Sequence, residues 1–599
     1  MTVSMPKGSC TGPDEGSVVG ARGTGRSVTS SAIGHPLAPA LLVAIAFLGG
    51  AWLSWRRLGS LIIDGGHELD VPRRLLEGAA LYRDVSWSWG PLAPWIDAGL
   101  YRLFGVHSDT LMWAGLVTAA LACVGLYLLA RHFVGPFTSA WVAIAFIATS
   151  AFARRMDVAI FNFVAPFNYS ATYGITLAIG SVVLLLRHAR SGKPAPLAGS
   201  AVLAGLVALT KMETTGAVLV AHGTFFLTVL PRPSRARMLA WGCGPAVVVV
   251  GYAVAAWTSD GAVWRSMVGL FNPASHFYIR NSMGLRHLGA SLIDVALSLL
   301  DWALVLAGAA WLAGRGGPGS RSRWVVALAG IVLLVLPAFV FERIFFRAAP
   351  FLLAAGLVWV LITRIREGTA ALEGRWREHL VVWAFALGAL PRILLRAGVD
   401  HYGFYLLSPT FVCLAIGMTL YLGRRTGRPP SPDVHGLGAS TVLAGVALGT
   451  FVVSYPQLTR AVSELRTARV HRLVDAGGPE ATFIPFLSRL PPDTVCAAVP
   501  EGAGVIFASG LTPPADGMTS YLPMLLEEPG VQGKVLEAWK RAPPEVIFSW
   551  DEDQRRVFGY AGFGRDYGLD LARWISEHYE PTTEPRVGRA TLLVRRGSR

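Results

Sequence analysis

Along most of its length the chain alternates long apolar runs with short polar loops. The runs lie at 37–55, 109–130, 136–152, 171–187, 197–210, 214–230, 238–257, 288–313, 324–341, 348–363, 379–395, 403–422 and 437–455. Coiled as a helix, an apolar run of roughly 17–25 residues matches the hydrocarbon core of a bilayer. The pattern predicts a mainly α, polytopic membrane domain over 37–455 with about 13 transmembrane helices. The weakest runs are 197–210, which is short, and 379–395, which carries Arg392.

Two stretches break the pattern. The loop 56–108 is long and holds Trp87, Trp89, Trp95 and Tyr101. Within it, 94–104 has the two-faced spacing of a helix lying in the membrane interface. From 456 the apolar runs shorten to strand length, at 494–499, 504–508, 545–550 and 590–595, with helical spacing at 457–475, 530–541 and 568–578. This predicts a small soluble α/β domain over 456–599. Residues 1–36, rich in Gly, Ser and Thr, read as a disordered cytoplasmic tail. The first run lacks a small-residue cleavage site and reads as a retained helix.

Composition agrees with a membrane protein. The chain is 53% hydrophobic and 15% charged, with mean hydropathy +0.48, whereas a soluble domain has about a quarter of its residues charged. A net charge of +15 would suit nucleic acid, but the basic residues collect in alternate loops, among them Arg187 with Arg190 and Lys193, Arg364 with Arg366, and Arg424 with Arg425. The positive-inside rule makes those loops cytoplasmic. An odd number of spans then puts the N-terminus inside and the C-terminal domain in the periplasm or outside the cell. No basic helix face interleaves with aromatics, so a nucleic-acid partner is not expected. Cys10, Cys123, Cys243, Cys413 and Cys496 form no CxxC pair, which argues against a disulfide framework or thiolate metal site.

Chemistry concentrates on the predicted outer face. Asp64, Glu68 and Asp70 lie within seven residues just past the first run. Acids at a membrane boundary are costly unless solvated, paired or used. Asp64 before Gly65-Gly66 has the placement of a helix N-cap; a carboxylate there could equally be a general base taking the proton of an acceptor hydroxyl. A second group is Arg154, Arg155, Lys211, Arg280, Arg343, Arg347 and Arg396. Each could snorkel to headgroups, or its charge could hold a phosphate, to which the arginine fork binds in bidentate fashion. Lys211 and Glu213, with almost no loop around them, should pair with each other or with another partner. His67, His276 and His401 fall on the same side without HxxxH or HExxH spacing, so a divalent metal stays open and weakly supported, and no other cofactor is expected. The segment 562–568 is not GxGxxG and reads as a loop.

These residues resemble a family. Asp64, the stretch Leu76-Glu77-Gly78-Ala79-Ala80-Leu81-Tyr82-Arg83-Asp84 and Trp89-Gly90-Pro91-Leu92 resemble the first periplasmic loop of bacterial GT-C glycosyltransferases, in the branch of protein O-mannosyltransferase-like and lipid A aminoarabinose transferase-like enzymes. The segment 206–213, containing Lys211, resembles a short motif of that branch, and 391–409, with Asp400-His401, resembles the end of its membrane domain. The resemblance implies a GT-C-like fold, a location in a bacterial inner membrane, and inverting transfer at its outer face of a hexosyl or pentosyl group from a polyprenyl-phosphate carrier to a lipid, glycan or protein acceptor. It implies that Asp64 is the base. Many relatives carry an acid directly after that Asp; here Gly65 follows, with Glu68 three further on, so either Asp64 or Glu68 could take the proton. Arg154, Arg155, Lys211, Glu213, Arg280, Arg347, Arg396 and His401 are the candidates for binding substrate. The competing reading is a transporter or lipid flippase, although such proteins place charges near the midplane and show repeats, and no repeat is evident.

Overall fold

The computed structural model describes residues 37–154, 161–229, 233–269, 272–315, 344–368, 372, 374–425 and 435–597. Arg155, Arg343 and the predicted span 324–341 lie outside them. The first half runs α1 (Leu37–Ser54), α2 (Gly65–Leu76), α3 (Leu92–Phe104), α4 (Ser108–Arg131), α5 (Pro136–Phe146), α6 (Tyr169–Ser191), α7 (Pro194–Ala208), α8 (Met212–Thr228) and α9 (Arg235–Thr258). It continues through α10 (Ala262–Gly269), α11 (Pro273–Ser282), α12 (Leu288–Arg315), α13 (Ala349–Glu367), α14 (Trp376–Ala389), α15 (Ser408–Arg425) and α16 (His435–Leu458). Every predicted span inside the described residues coincides with a helix. Among the described residues eight helices are by themselves long and apolar enough to cross a membrane. The others, such as α7 and α8, are shorter, so a count of thirteen crossings goes beyond what helix length supports.

The apolar residues point the wrong way for a protein in water. On α1, Leu41, Ile45, Leu48 and Trp52 are exposed, as are Val249, Val250 and Trp257 on α9. A soluble helix buries such residues; here the apolar belt is left for lipid. The interior is packed by α6 against α7 and α4, α7 against α9, and α8 against α14. In the loop after α1, α2 and α3 pack on each other. Leu103 and Phe104 on α3 stay exposed while Asp97 and Tyr101 are buried, the two-faced arrangement expected of 94–104.

Beyond α16 come β1 (Val462–Arg466), β2 (His471–Asp475), α17 (Pro479–Leu487), β3 (Cys496–Val499), α18 (Ala503–Ser509), α19 (Pro523–Leu526), α20 (Val531–Arg541), β4 (Val546–Trp550), α21 (Leu569–His578), β5 (Tyr579–Val587) and β6 (Ala590–Arg595). They form a small C-terminal sheet domain of order β3-β4-β6-β5, with β3 and β4 parallel and the other pairs antiparallel. Alternate residues serve its two faces. Cys496, Ala498 and Phe548 pack with α17 and α18; Ala497, Val499 and Ile547 pack with Trp539 of α20 and Trp574 of α21. Two local expectations fail. The run 504–508 is the helix α18 rather than a strand, and 457–475 contains the antiparallel hairpin β1–β2 rather than a helix.

The sheet domain is fastened to the first loop and to the segment after α5 at several points. Arg154 pairs with Asp475 of β2 at 3.1 Å, the Leu473 amide donates to the Arg56 carbonyl at 2.8 Å, and the Ser86 amide donates to the Gly517 carbonyl at 2.9 Å. The N-terminal turn of α2 lies directly against α18.

Candidate active site

The segment before Asp64 is pinned from the sheet domain. Glu480 of α17 accepts from the Leu61 amide at 2.7 Å and the Ser60 hydroxyl at 3.1 Å, and the Ser60 oxygen accepts from the amides of Ile62 and Ile63. The chain then turns into α2 at Asp64, whose backbone adopts φ +52° and ψ −50°. A non-glycine residue in this region is strained and is held there by its surroundings. The Asp64 side chain makes no capping hydrogen bond to α2.

The Asp64 carboxylate is half-buried, and the Tyr402 hydroxyl beside it favours its charged form. Burial raises its proton affinity above the ordinary carboxylate range; His67 and Lys211 pull it down and Glu68 pushes it up. Four parts of the chain thus meet around one carboxylate: α2, the start of α8, the loop before α15, and the sheet domain.

Glu68 is committed differently. Only 2% exposed, its oxygens accept from the Tyr169 amide at 2.9 Å and the Asn168 side-chain amide at 3.1 Å, and His67 Nε2 lies 2.9 Å away. It ties α2 to the N-terminus of α6. Asp70 is likewise buried, paired with Arg73 and Arg74 at 2.6 Å each. Those two guanidinium groups outweigh burial and hold its carboxyl below the usual range.

Two sequence motifs meet at Trp89. The Gly90 amide donates to the Thr210 carbonyl at 2.8 Å and the Leu92 amide to the Leu209 carbonyl at 3.0 Å, joining the 206–213 segment to Trp89-Gly90-Pro91-Leu92. His67 stacks on the Trp89 ring at 5.5 Å, and the buried Lys211 ammonium stands 5.3 Å from the same ring, 5.4 Å from Phe167 and 5.8 Å from Tyr405. Among the described residues Lys211 has no carboxylate within 4.0 Å. Its sequence neighbour Glu213 pairs instead with Arg392, whose other nitrogen donates to the Tyr278 hydroxyl at 3.2 Å.

The predicted phosphate-binding residues separate. Arg154 faces Asp475, and Arg280 is exposed on α11. Arg347 and Arg396 come together in a cavity of about 470 Å³ that is also lined by Arg286, Arg555, Arg556 and Asp294. Asn281 organises this wall: it accepts from Arg396 at its backbone and side-chain oxygens at 3.1 and 3.2 Å, and its amide donates to the Arg556 carbonyl at 2.7 Å. Arg347 Nε stands 3.9 Å from Asp294. His401 lies in the field of Arg392, Arg396 and Arg347, and its sequence neighbour Tyr402 lies beside Asp64, so the basic wall and the carboxylate adjoin.

Three groups went unnoticed in the sequence: Tyr402, Glu501 and Glu552. Glu501 Oε1 accepts from the Asp64 amide at 3.4 Å, and Glu552 lies in the field of Asp64. Each glutamate lies just past the C-terminal end of β3 or β4, the two parallel strands. The carboxyl ends of parallel strands are where α/β sheets gather functional groups. Among the described residues no group of three or more His, Cys, Asp or Glu side chains is arranged to hold a metal.

No family model and no curated protein matches the chain. Its structural neighbours include ArnT from Cupriavidus metallidurans bound to undecaprenyl phosphate, 14% identical, with 93% of this chain and 98% of that one covered and a TM-score of 0.47. They also include the Archaeoglobus fulgidus oligosaccharyltransferase in the apo form, 12% identical over 86% of this chain and 70% of that one, TM-score 0.47. A third is the oligosaccharyltransferase AglB of that organism with an inhibitory peptide and a dolichol-phosphate, 13% identical over 91% and 72%, TM-score 0.46. These neighbours are GT-C glycosyltransferases.

Proposed function

We propose that this chain is a membrane glycosyltransferase that moves a sugar from a polyprenyl-phosphate carrier to a hydroxyl-bearing acceptor, with Asp64 as general base. The observation that carries the reading is the state of the two candidate bases. Glu68 spends both carboxylate oxygens on α6 and His67, whereas Asp64 is strained, uncapped, and reached by solvent beside an uncommitted Lys211. In this reading the acceptor oxygen attacks the anomeric carbon as its proton passes to Asp64. The bond from that carbon to the phosphate oxygen breaks, and the electron pair leaves with the carrier phosphate. Lys211, with Arg347 and Arg396 of the adjoining cavity, offsets the charge developing on that phosphate, and His401 lies in the field of those two arginines. Glu68 is a positioning residue that fixes the angle of α2. The basic loops favour a reaction on the outer face of a bacterial inner membrane, with the sheet domain in the periplasm or outside the cell.

The test is transfer of label from radiolabelled undecaprenyl-phosphate sugars into native membranes by the purified protein. Asp64→Asn is expected to fold and to lose about a hundredfold or more of the rate. Near-normal transfer by that variant overturns the assignment.

A further inference from the structure

Glu501 has no evident reason to be where it is. It is 8% exposed, and among the described residues it has no cation within 4.0 Å. Its one hydrogen bond is the long one from the Asp64 amide. A buried carboxylate left this way costs stability, and the fold goes to some length to keep it there. Gly504, three residues on, touches Gly66 so closely that a Cβ on Gly66 would lie 2.1 Å from the Gly504 nitrogen, and one on Gly504 would lie 2.3 Å from the Leu61 carbonyl oxygen. Only glycine fits on either side. The two chains are clamped backbone to backbone next to Asp64.

We propose that Glu501, delivered by the C-terminal sheet domain, is a positioning residue for Asp64: it grips the Asp64 amide and sets a second carboxylate beside the reacting one. The inference rests on the reading of Asp64 as the base and deepens it. Two carboxylates in one poorly solvated place cannot both ionise easily, so the pair keeps a proton to higher pH than either acid alone. Burial first, then Asp64 and Glu552, push the Glu501 carboxyl well above its ordinary range. The charged and titratable groups facing Asp64 are His67 and Glu68 on α2, Lys211, Tyr278, Tyr402, Glu501 and Glu552. Of the carboxylates among them, Glu68 is tied to α6 and Glu501 touches the Asp64 backbone. A base that holds its proton more tightly removes one from a hydroxyl more readily. The sheet domain thereby sets the strength of a base that the membrane domain carries.

The test needs neither donor nor acceptor. Difference infrared titration of the full chain in lipid nanodiscs reads carboxyl protonation directly. The wild-type pair is expected to release its protons in two steps. Glu501→Gln keeps the side-chain length and the oxygen that accepts from the Asp64 amide, and removes only the charge. It should leave one step, about one pH unit or more below the upper wild-type step. Asp64→Asn should do the same from the other side, so the proposal can be tested even if one variant does not fold. A remaining carboxyl that still titrates at the upper wild-type pH in either variant overturns it. The outcome is separable from the transferase reading, which falls on the transfer rate of Asp64→Asn alone. Where transfer is measured, the acid limb of the Glu501→Gln pH profile should move down by the same interval, a shift that a purely structural Glu501 would not produce.

Discussion

Two acids six residues apart on the first loop have opposite effects on stability. Asp64 and Glu501 hold protons more tightly in the fold than in the unfolded chain, chiefly through burial. A carboxyl with a raised folded pKa contributes stability that is present below its unfolded pKa and lost as pH rises through the folded value. Asp64→Asn and Glu501→Gln are therefore expected to raise the Tm at neutral and alkaline pH, with the gain vanishing below about pH 4. A melting series across pH checks this; a gain that grows toward acid would contradict it. Asp70 works the other way. Its carboxyl is held low despite burial by Arg74 and Arg73, so its contribution is present above the ordinary carboxylate range and lost as pH falls. Asp70→Asn strands the buried Arg74 guanidinium and leaves Arg73 only the exposed Glu77, and should cost about 3–5 kcal/mol, read as a large fall in Tm at neutral pH. The contrast separates the carboxylate proposed for chemistry from one kept for structure, which their spacing in the sequence could not do.

At the scale of elements, the contact between α2 and α18 decides how the site is built. Gly66→Ala puts a methyl group against the Gly504 backbone, which no rotamer can relieve. The overlap should cost about 1–3 kcal/mol and move Glu501 away from Asp64. Gly99→Ala on α3 is the control: nothing lies within 4 Å of the added Cβ, and removing a helical glycine should be neutral or stabilising by up to about 1 kcal/mol. Melting and transfer assays on the pair should show both falling for Gly66→Ala and neither for Gly99→Ala. This contact was hidden in the sequence for a physical reason. The run 504–508 is short and buried all round, and periodicity cannot tell a short buried helix from a strand. The hairpin β1–β2 was missed for a related one, since polar residues on both strands masked its alternation. The long apolar helices were legible because lipid demands a continuous run of the right length. Asp64 was legible because acids are scarce at a membrane edge, whereas Glu501 and Glu552 look ordinary among the many acids of a polar domain.

At the scale of the whole molecule, the cavity of about 470 Å³ is assembled from parts far apart in the chain: the α11–α12 turn, Arg347, Arg396 and the Arg555–Arg556 loop after β4. No local spacing records such a grouping. Five arginines line it against one aspartate, Asp294, which leaves a strong excess of positive charge beside the apolar belt. Such a wall suits an anion that arrives from the bilayer, and the carrier phosphate of the proposed donor is one. Arg396 is the residue to remove, because Asn281 already orients it and it is only partly buried. Arg396→Gln keeps most of the length and loses the charge; Arg556→Gln does so from the sheet-domain side. A charge-assisted hydrogen bond contributes about 1.5–3 kcal/mol, so each variant should bind undecaprenyl phosphate roughly 10- to 100-fold more weakly. The weakening should diminish at high salt, where screening has already reduced the arginine's contribution. Thermal stabilisation of the purified protein by undecaprenyl phosphate measures it directly. If both variants bind as tightly as the wild type, the cavity is not the carrier site, and Lys211 with its aromatic surround becomes the phosphate anchor. If Arg556→Gln alone weakens binding, the sheet domain holds the carrier as well as positioning Asp64, and the donor is bound at the seam between the two parts of the chain.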